Sequence, residues 1–176
     1  MQDDLDDGVD WLVAQGTVDA TRVCVMGGSY GGYAVMMGLA RDPARWKCGI
    51  NYVGVTDIQL MYDVTWSDYA YSSFLDYSAK EMMGDPVADA AQLKATSPIE
   101  QAHRIKAPVL MAYGGRDRRV PIIHGQKMRD ALLSRNVSVE WVVYGEEGHG
   151  FLLEANRFDF YRRVGAFLDK HLGTAP

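Results

Sequence analysis

The segment VCVMGGSYGGYAVMM, residues 23–37, sets four glycines around Ser29, between an apolar run typical of a strand and one typical of a helix. Its centre fits the pattern G-x-S-x-G, in which a sharp strand-to-helix turn exposes a serine hydroxyl above a sheet. Small residues two before and two after the serine avoid clashes where strand and helix nearly touch. We predict that Ser29 is a nucleophile and that the Tyr30 amide, at the helix N-terminus, donates to a developing oxyanion. A glycine-rich turn with an incidental serine is the alternative.

Strands and helices are predicted to alternate along the chain. Apolar runs typical of buried strands lie at residues 22–26, 48–53, 109–113 and 139–144. Helical spacing of apolar residues covers 6–14, 30–40, 67–75, 124–133 and 156–172. Continuous apolar strands that alternate with helices are typical of a parallel sheet with helices on both faces. The predicted class is therefore α/β, and since no linker or repeat is visible, residues 1–176 are predicted to form a single domain.

The composition argues against several classes of function. A net charge of −5 with scattered Lys and Arg over 176 residues gives no basic surface for nucleic acid. No apolar run reaches the roughly 18 residues that span a bilayer, and the acidic start differs from a signal peptide. We therefore expect no membrane contact and, by default, a cytoplasmic location; export of a longer parent protein is the alternative. Cys24 and Cys48 lack C-x-x-C spacing, so they are predicted to be small buried apolar residues, without a disulfide or a zinc site.

A serine at such a turn needs a base and an orienting carboxylate, in the chain order Ser, Asp, His. Asp117 follows the third predicted strand, and His149 follows the fourth between two glycines. Sites of open α/β sheets form at the carboxyl ends of the strands, so both side chains should lie near Ser29. We predict Asp117 as the orienting acid and His149 as the base. Taken singly, the alternatives are a turn residue for Asp117 and a surface-loop residue for His149.

Five short motifs carry a resemblance to a known family. They are GGSYGGYA (27–34), SPI (97–99), IKAPVL (105–110), GGRDRRVP (114–121) and EGHGF (147–151). This ordered set resembles the catalytic domain of the prolyl oligopeptidase family, in particular its acylaminoacyl-peptidase and dipeptidyl-peptidase-like branch. The resemblance implies an α/β-hydrolase fold, a peptide or acyl-peptide substrate, no cofactor or metal, and a Ser29, Asp117, His149 triad. It also implies that Arg119 binds a substrate carbonyl; a surface ion pair is the alternative for Arg119.

The chain departs from that family at its start. Only roughly twenty residues precede the first predicted strand, enough for one helix, so the chain resembles the second half of the domain without its N-terminal strands. The early loop with a second oxyanion donor would also be missing, and losing one donor typically costs about two to three orders of magnitude in turnover. The strand at 22–26 would then be an exposed edge, so we expect two chains to associate through it.

Apolar and aromatic side chains are expected to bind the substrate. The candidates are Tyr30 and Val53, with Tyr62, Trp66, Tyr69 and Phe74 as weaker ones from the long irregular segment 56–108. Ordinary core packing is the alternative for these residues.

Two other functions stay open, because function depends on the pocket rather than the fold. One is a carboxylesterase-like acyl hydrolase using the same three residues, and the other is an inactive domain that only folds and self-associates.

Overall fold

A four-stranded parallel sheet forms the centre of the computed structural model, which describes residues 2–70 and 73–173. Its order follows the chain: β1 (Cys24–Gly28), β2 (Cys48–Tyr52), β3 (Val109–Gly114) and β4 (Val139–Tyr144). Each of the predicted strands is present, with its ends within about two residues of the prediction. Within the described residues β1 and β4 are the two edges of the sheet, so the predicted edge position of the first strand is observed.

Helices connect and flank the strands. The α-helices are α1 (Gln2–Ala14), α2 (Tyr30–Arg41), α3 (Leu60–Asp63), α4 (Ala79–Met82), α5 (Ala90–Thr96), α6 (Ile123–Leu133) and α7 (Glu154–Leu172). A π-helical turn at Phe74–Ser78 and a 3₁₀ helix at Pro98–Arg104 complete the segment between β2 and β3. The helices predicted at 6–14, 30–40, 124–133 and 156–172 all lie within or closely match these elements.

The sheet is buried on both faces, as the continuous apolar strands indicate. Side chains alternate across β3, so Val109, Met111 and Tyr113 pack on one face, with α2 and α6. Leu110 and Ala112 point to the other face and pack with α7. All six residues of β3 are buried. The parallel sheet with helices on both faces confirms the predicted α/β class.

The prediction of a helix over residues 67–75 is wrong for its first part, where residues 65–70 form turns. The N–H of Asp68 donates to the carbonyl of Arg118 at 2.7 Å instead of continuing a helix, and the Arg118 guanidinium pairs with the Asp68 carboxylate. These long-range bonds to the loop after β3 compete with local helical spacing, which tertiary contacts commonly override. Residues 71 and 72 lie outside the described residues.

Cys24 and Cys48 form a disulfide, which corrects the expectation that neither cysteine is paired. The two residues lie directly opposite each other in the register of β1 and β2, with their Cα atoms 4.7 Å apart. That separation lies within the range that a disulfide can bridge. The sequence shows neither the pairing of these two strands nor its register. The disulfide therefore could not be predicted from two cysteines 24 residues apart.

Candidate active site

Ser29 occupies the turn between β1 and α2 in a strained backbone conformation, with φ 57° and ψ −117°. A non-glycine residue with positive φ is uncommon and is typical of functional sites. A Cβ on Gly27 would overlap the backbone of Gly31, which explains why this turn needs a glycine two residues before the serine. The Ser29 N–H donates to the carbonyl of Tyr52 at 2.9 Å, so the turn is tied to the neighbouring strand β2.

The structure brings Ser29, His149 and Asp117 together at the carboxyl ends of their strands. His149 Nε2 lies 2.7 Å from Ser29 Oγ, and His149 Nδ1 lies 2.8 Å from Asp117 Oδ2. The other carboxylate oxygen, Asp117 Oδ1, accepts the backbone N–H groups of Arg119 and Val120, both at 2.9 Å. The loop after β3 therefore fixes the Asp117 carboxylate and directs one oxygen toward the imidazole. This is the geometry of a nucleophile, a base and a group that orients the base.

Glu147 anchors the loop that carries His149, and the sequence analysis gave it no role. Its carboxylate accepts the N–H groups of Leu152 and Leu153 and the side-chain amide of Asn156, at 2.8–2.9 Å. Burial alone would raise the pKa of Glu147, but these hydrogen bonds outweigh it and the pKa lies below its ordinary value. One sequence feature could have indicated this role of Glu147: it is an acidic residue two positions before His149 and shortly before a helix N-terminus.

An apolar cavity of about 280 Å³ adjoins the turn that carries Ser29. Its walls come from the start of α2 and from the segment between β2 and β3; they are Tyr30, Tyr33, Val55, Ile58, Met61, Met82, Met83, Gln92 and Thr96. Tyr30, which the sequence predicts to bind substrate, lines this cavity. Met61, Met82 and Met83 of the irregular segment also line the cavity. Nothing in their spacing distinguishes a cavity wall from a core.

The other proposed substrate-binding residues lie elsewhere. Val53 is 2% exposed and packs in the apolar cluster under α7, with φ 45°, so it does not line the cavity. The Tyr62 hydroxyl donates to the Gly84 carbonyl, and the Tyr69 and Phe74 rings contact each other. Trp66 is exposed, and none of these four weaker candidates lines the cavity. Of the predicted pocket residues, Tyr30 lines this cavity and the other five do not.

Arg119 is exposed and lies two residues after Asp117, in the loop that holds the carboxylate. Its side chain forms no ion pair in the part of the chain that the structure describes, whereas the neighbouring Arg118 pairs with Asp68. The surface ion pair considered as the alternative for Arg119 is therefore not observed.

No helix in residues 2–70 and 73–173 is both long and apolar enough to cross a membrane.

The chain resembles known peptidases over its whole length. It is 38% identical to the dipeptidyl aminopeptidase BIII of Pseudoxanthomonas mexicana, over 98% of this chain and 25% of that protein. The dipeptidyl peptidase family member 6 of Caenorhabditis elegans is 28% identical over 98% of this chain and 23% of its own length. The chain thus spans about a quarter of the length of these curated relatives.

The fold is shared with solved structures. The Pyrococcus horikoshii acylaminoacyl peptidase superposes with a TM-score of 0.84 at 22% identity, covering 99% of this chain and 28% of the other. This similarity shows that the sheet and its helices are part of an α/β-hydrolase fold. The sequence profile of the prolyl oligopeptidase family matches residues 1–175. The chain therefore belongs to the prolyl oligopeptidase family of serine peptidases.

Proposed function

We propose that Ser29, His149 and Asp117 form the catalytic triad of a serine peptidase that works through an acyl-enzyme. The observation that carries this proposal is the pair of contacts at His149, 2.7 Å to Ser29 Oγ and 2.8 Å to Asp117 Oδ2. With its proton on Nδ1, His149 donates to Asp117 and accepts the Ser29 hydroxyl proton at Nε2. The two contacts thus match the two hydrogen bonds that a general base needs.

The reaction proceeds in two halves. Ser29 Oγ attacks the carbonyl carbon of the substrate while His149 Nε2 takes the hydroxyl proton, and Asp117 stabilises the imidazolium that forms. The C–N bond then breaks, and His149 returns the proton to the leaving amine. In the second half His149 takes a proton from water, the resulting hydroxide equivalent attacks the acyl-enzyme, and Ser29 recovers its proton as the acid product leaves.

The oxyanion receives one donor from the turn itself. The Tyr30 amide follows Ser29 and belongs to the first turn of α2, where the helix dipole favours negative charge. The Tyr30 amide is therefore proposed to be an oxyanion donor, and the loss of one such donor typically costs about two to three orders of magnitude in turnover.

The substrate is proposed to be a peptide with an apolar residue on the acyl side of the scissile bond. The cavity beside Ser29 is lined mainly by apolar side chains, among them Val55, Ile58 and Met61. Burial of an apolar side chain there stabilises binding in proportion to the area removed from water. Arg119, exposed beside Asp117, is proposed to bind a backbone carbonyl of the substrate. Names of the relatives, a dipeptidyl aminopeptidase among them, support a peptide substrate.

A comparison of substrates tests this function. We expect the chain to hydrolyse dipeptidyl p-nitroanilides with Phe or Leu before the scissile bond faster than matched Asp substrates, with loss of activity in Ser29→Ala. Hydrolysis of p-nitrophenyl esters without any anilide hydrolysis would support a carboxylesterase-like activity instead. A folded chain that hydrolyses neither would support a domain that only folds and self-associates.

A further inference from the structure

Tyr52 connects the turn that carries Ser29 to the loop that carries His149. It is the last residue of β2 and lies opposite Gly28 in the register with β1. Its carbonyl accepts the Ser29 N–H at 2.9 Å, and its hydroxyl accepts the N–H of Phe151, two residues after His149, at 2.7 Å. We propose that Tyr52 is a positioning residue that holds His149 Nε2 within hydrogen-bonding distance of Ser29 Oγ. This inference rests on the proposed function of those two residues.

The ring of Tyr52 is held so that its hydroxyl has a defined position. It stacks on Phe160 of α7, with ring centroids 5.0 Å apart, and meets the edge of Phe151 at 4.6 Å. It also lies close to Gly28, where an added Cβ would come within 2.9 Å of Cδ1 of Tyr52. A ring fixed by these contacts places its hydroxyl without further loss of side-chain entropy. The end of β2 therefore determines the position of the Tyr52 hydroxyl and of the Phe151 N–H that binds it.

The loop needs such a contact because glycines flank His149 on both sides. Gly148 and Gly150 give the chain conformational freedom, and Gly150 has φ 132°. Glu147 binds the far side of this loop through Leu152 and Leu153, beyond Phe151. Tyr52 thus binds the amide that directly follows Gly150. Burial raises the pKa of Tyr52, so its hydroxyl stays neutral through the physiological range.

A pair of variants separates the hydroxyl from the aromatic packing. Tyr52→Phe keeps the ring between Gly28 and Phe160 and removes the acceptor of the Phe151 N–H. Tyr144→Phe is the matched control, since the Tyr144 ring also meets Phe151 at 4.6 Å. The Tyr144 hydroxyl donates instead to Asp159 at 2.8 Å and does not bind the loop backbone. Both variants lose one hydroxyl from the same aromatic cluster.

The kinetic test measures inactivation of the chain by a fluorophosphonate. The inactivation rate is divided by the fraction of sites that have reacted at the end of the experiment. We expect Tyr52→Phe to lower kinact about tenfold while KI stays within about twofold of wild type, as for loss of one hydrogen bond that aligns the base. Tyr144→Phe should keep kinact within about twofold. A purely structural role for Tyr52 would reduce the number of reactive sites and leave kinact per site unchanged. That result, or an equal fall of kinact in both variants, would overturn the inference.

Hydrogen exchange of the Phe151 amide keeps this test separate from the test of the proposed function. The amide should be protected in wild type and in Tyr144→Phe, and should exchange at least about tenfold faster in Tyr52→Phe. Equal protection in all three proteins would overturn the role of Tyr52 even if Ser29 reacts. A folded wild type that does not react with the fluorophosphonate, but shows this difference in exchange, would instead overturn the proposed function and leave Tyr52 as an anchor of the loop alone.

Discussion

Asp117 Oδ2 lies 2.8 Å from Nδ1 of His149, and the Asp117 side chain has no exposed surface. The substitution Asp117→Asn keeps the shape of the side chain but can place an amide N–H against the imidazole, which disfavours the tautomer that accepts the Ser29 proton. We expect turnover to fall by about three to four orders of magnitude with little change in KM. Steady-state kinetics on a dipeptidyl anilide measure this. Asp159→Asn, on α7 and away from Ser29, is the control; equal losses in both variants would contradict the assigned role.

Glu147 should stabilise the fold through its three hydrogen bonds near the start of α7. Glu147→Gln removes the charge that strengthens these bonds, and we expect the free energy of unfolding to fall by about 1–2 kcal/mol at pH 7. Glu146→Gln, at the exposed neighbour, should change it by less than about 0.5 kcal/mol. Because the folded-state pKa of Glu147 is lowered, its contribution is present above its ordinary pKa and is lost as the pH falls through the lowered value. Urea unfolding of wild type and both variants at pH 7 and pH 4 measures this. If the difference in the free energy of unfolding between wild type and Glu147→Gln is the same at both pH values, the assigned role of Glu147 is wrong.

His124 should make the fold sensitive to acid. It is fully buried at the start of α6, and Nδ1 accepts the Thr56 N–H at 3.3 Å. Burial lowers the pKa of His124 to about 4, with Lys127 acting in the same direction and Asp57 and Asp117 opposing it. The His124 imidazole is neutral in both the folded and the unfolded chain above about pH 6.5. Between pH 6.5 and pH 4 it binds a proton in the unfolded chain but not in the folded chain. The free energy of unfolding should therefore fall between pH 6.5 and pH 4, by up to about 3 kcal/mol from this residue.

Urea unfolding across that pH range measures the effect of His124. His124→Gln should show a shallower fall of the free energy of unfolding with decreasing pH than wild type. His103→Gln is the control, since His103 is exposed and should leave the wild-type slope unchanged. Identical slopes in wild type and His124→Gln would show that His124 is not the titrating group.

The Cys24–Cys48 disulfide bears on the cellular compartment. Structural disulfides persist mainly in oxidising compartments. We therefore propose that the chain folds in such a compartment, in place of the cytoplasmic location expected from composition. The denatured, unreduced chain should take up no iodoacetamide in intact-mass measurements, and two adducts should appear after reduction. Replacing both cysteines with alanine should lower the free energy of unfolding by about 3 kcal/mol. Two adducts without reduction would contradict the disulfide.

The free edge of β1 is proposed to associate with a second copy of this chain. An edge strand presents unpaired backbone groups, and Met26 on β1 is 46% exposed. We expect a dimer at micromolar concentrations in sedimentation velocity, and Met26→Lys should shift it to monomer because a charge there opposes strand pairing. Val143→Lys, on the opposite edge strand β4, should leave the dimer intact. A monomeric wild type would contradict the association, and dissociation by Val143→Lys alone would assign it to β4.

The sequence predicted those parts of the site that depend on position along a strand. Ser29, Asp117 and His149 each follow a strand, so the parallel direction of the strands alone brought them to the carboxyl ends of the sheet. It did not predict contacts set by packing across the sheet. The pairing of Cys24 with Cys48 depends on strand register, which apolar composition leaves open.

The substrate cavity was harder to predict for another physical reason. Val53 looked like a residue at the end of a strand beside the site, but the chain turns at φ 45° there and buries its side chain. Met82 and Met83 reach the cavity from a segment of short helices, which are too short for periodicity to indicate which side chains face the cavity. The Tyr52 hydroxyl binds the backbone amide of Phe151, 99 residues away in sequence, and no sequence pattern identifies such a partner.

Covalent labelling of Ser29 tests the central claim most directly. The folded chain, reacted with a fluorophosphonate and measured by intact mass, should gain one adduct, mapped by peptide sequencing to Ser29. Ser29→Ala and His149→Ala should gain none over the same time, while the control His103→Gln should react as wild type does. No adduct on a demonstrably folded wild type, or equal labelling of His149→Ala, would contradict a working Ser29, His149, Asp117 triad in this chain.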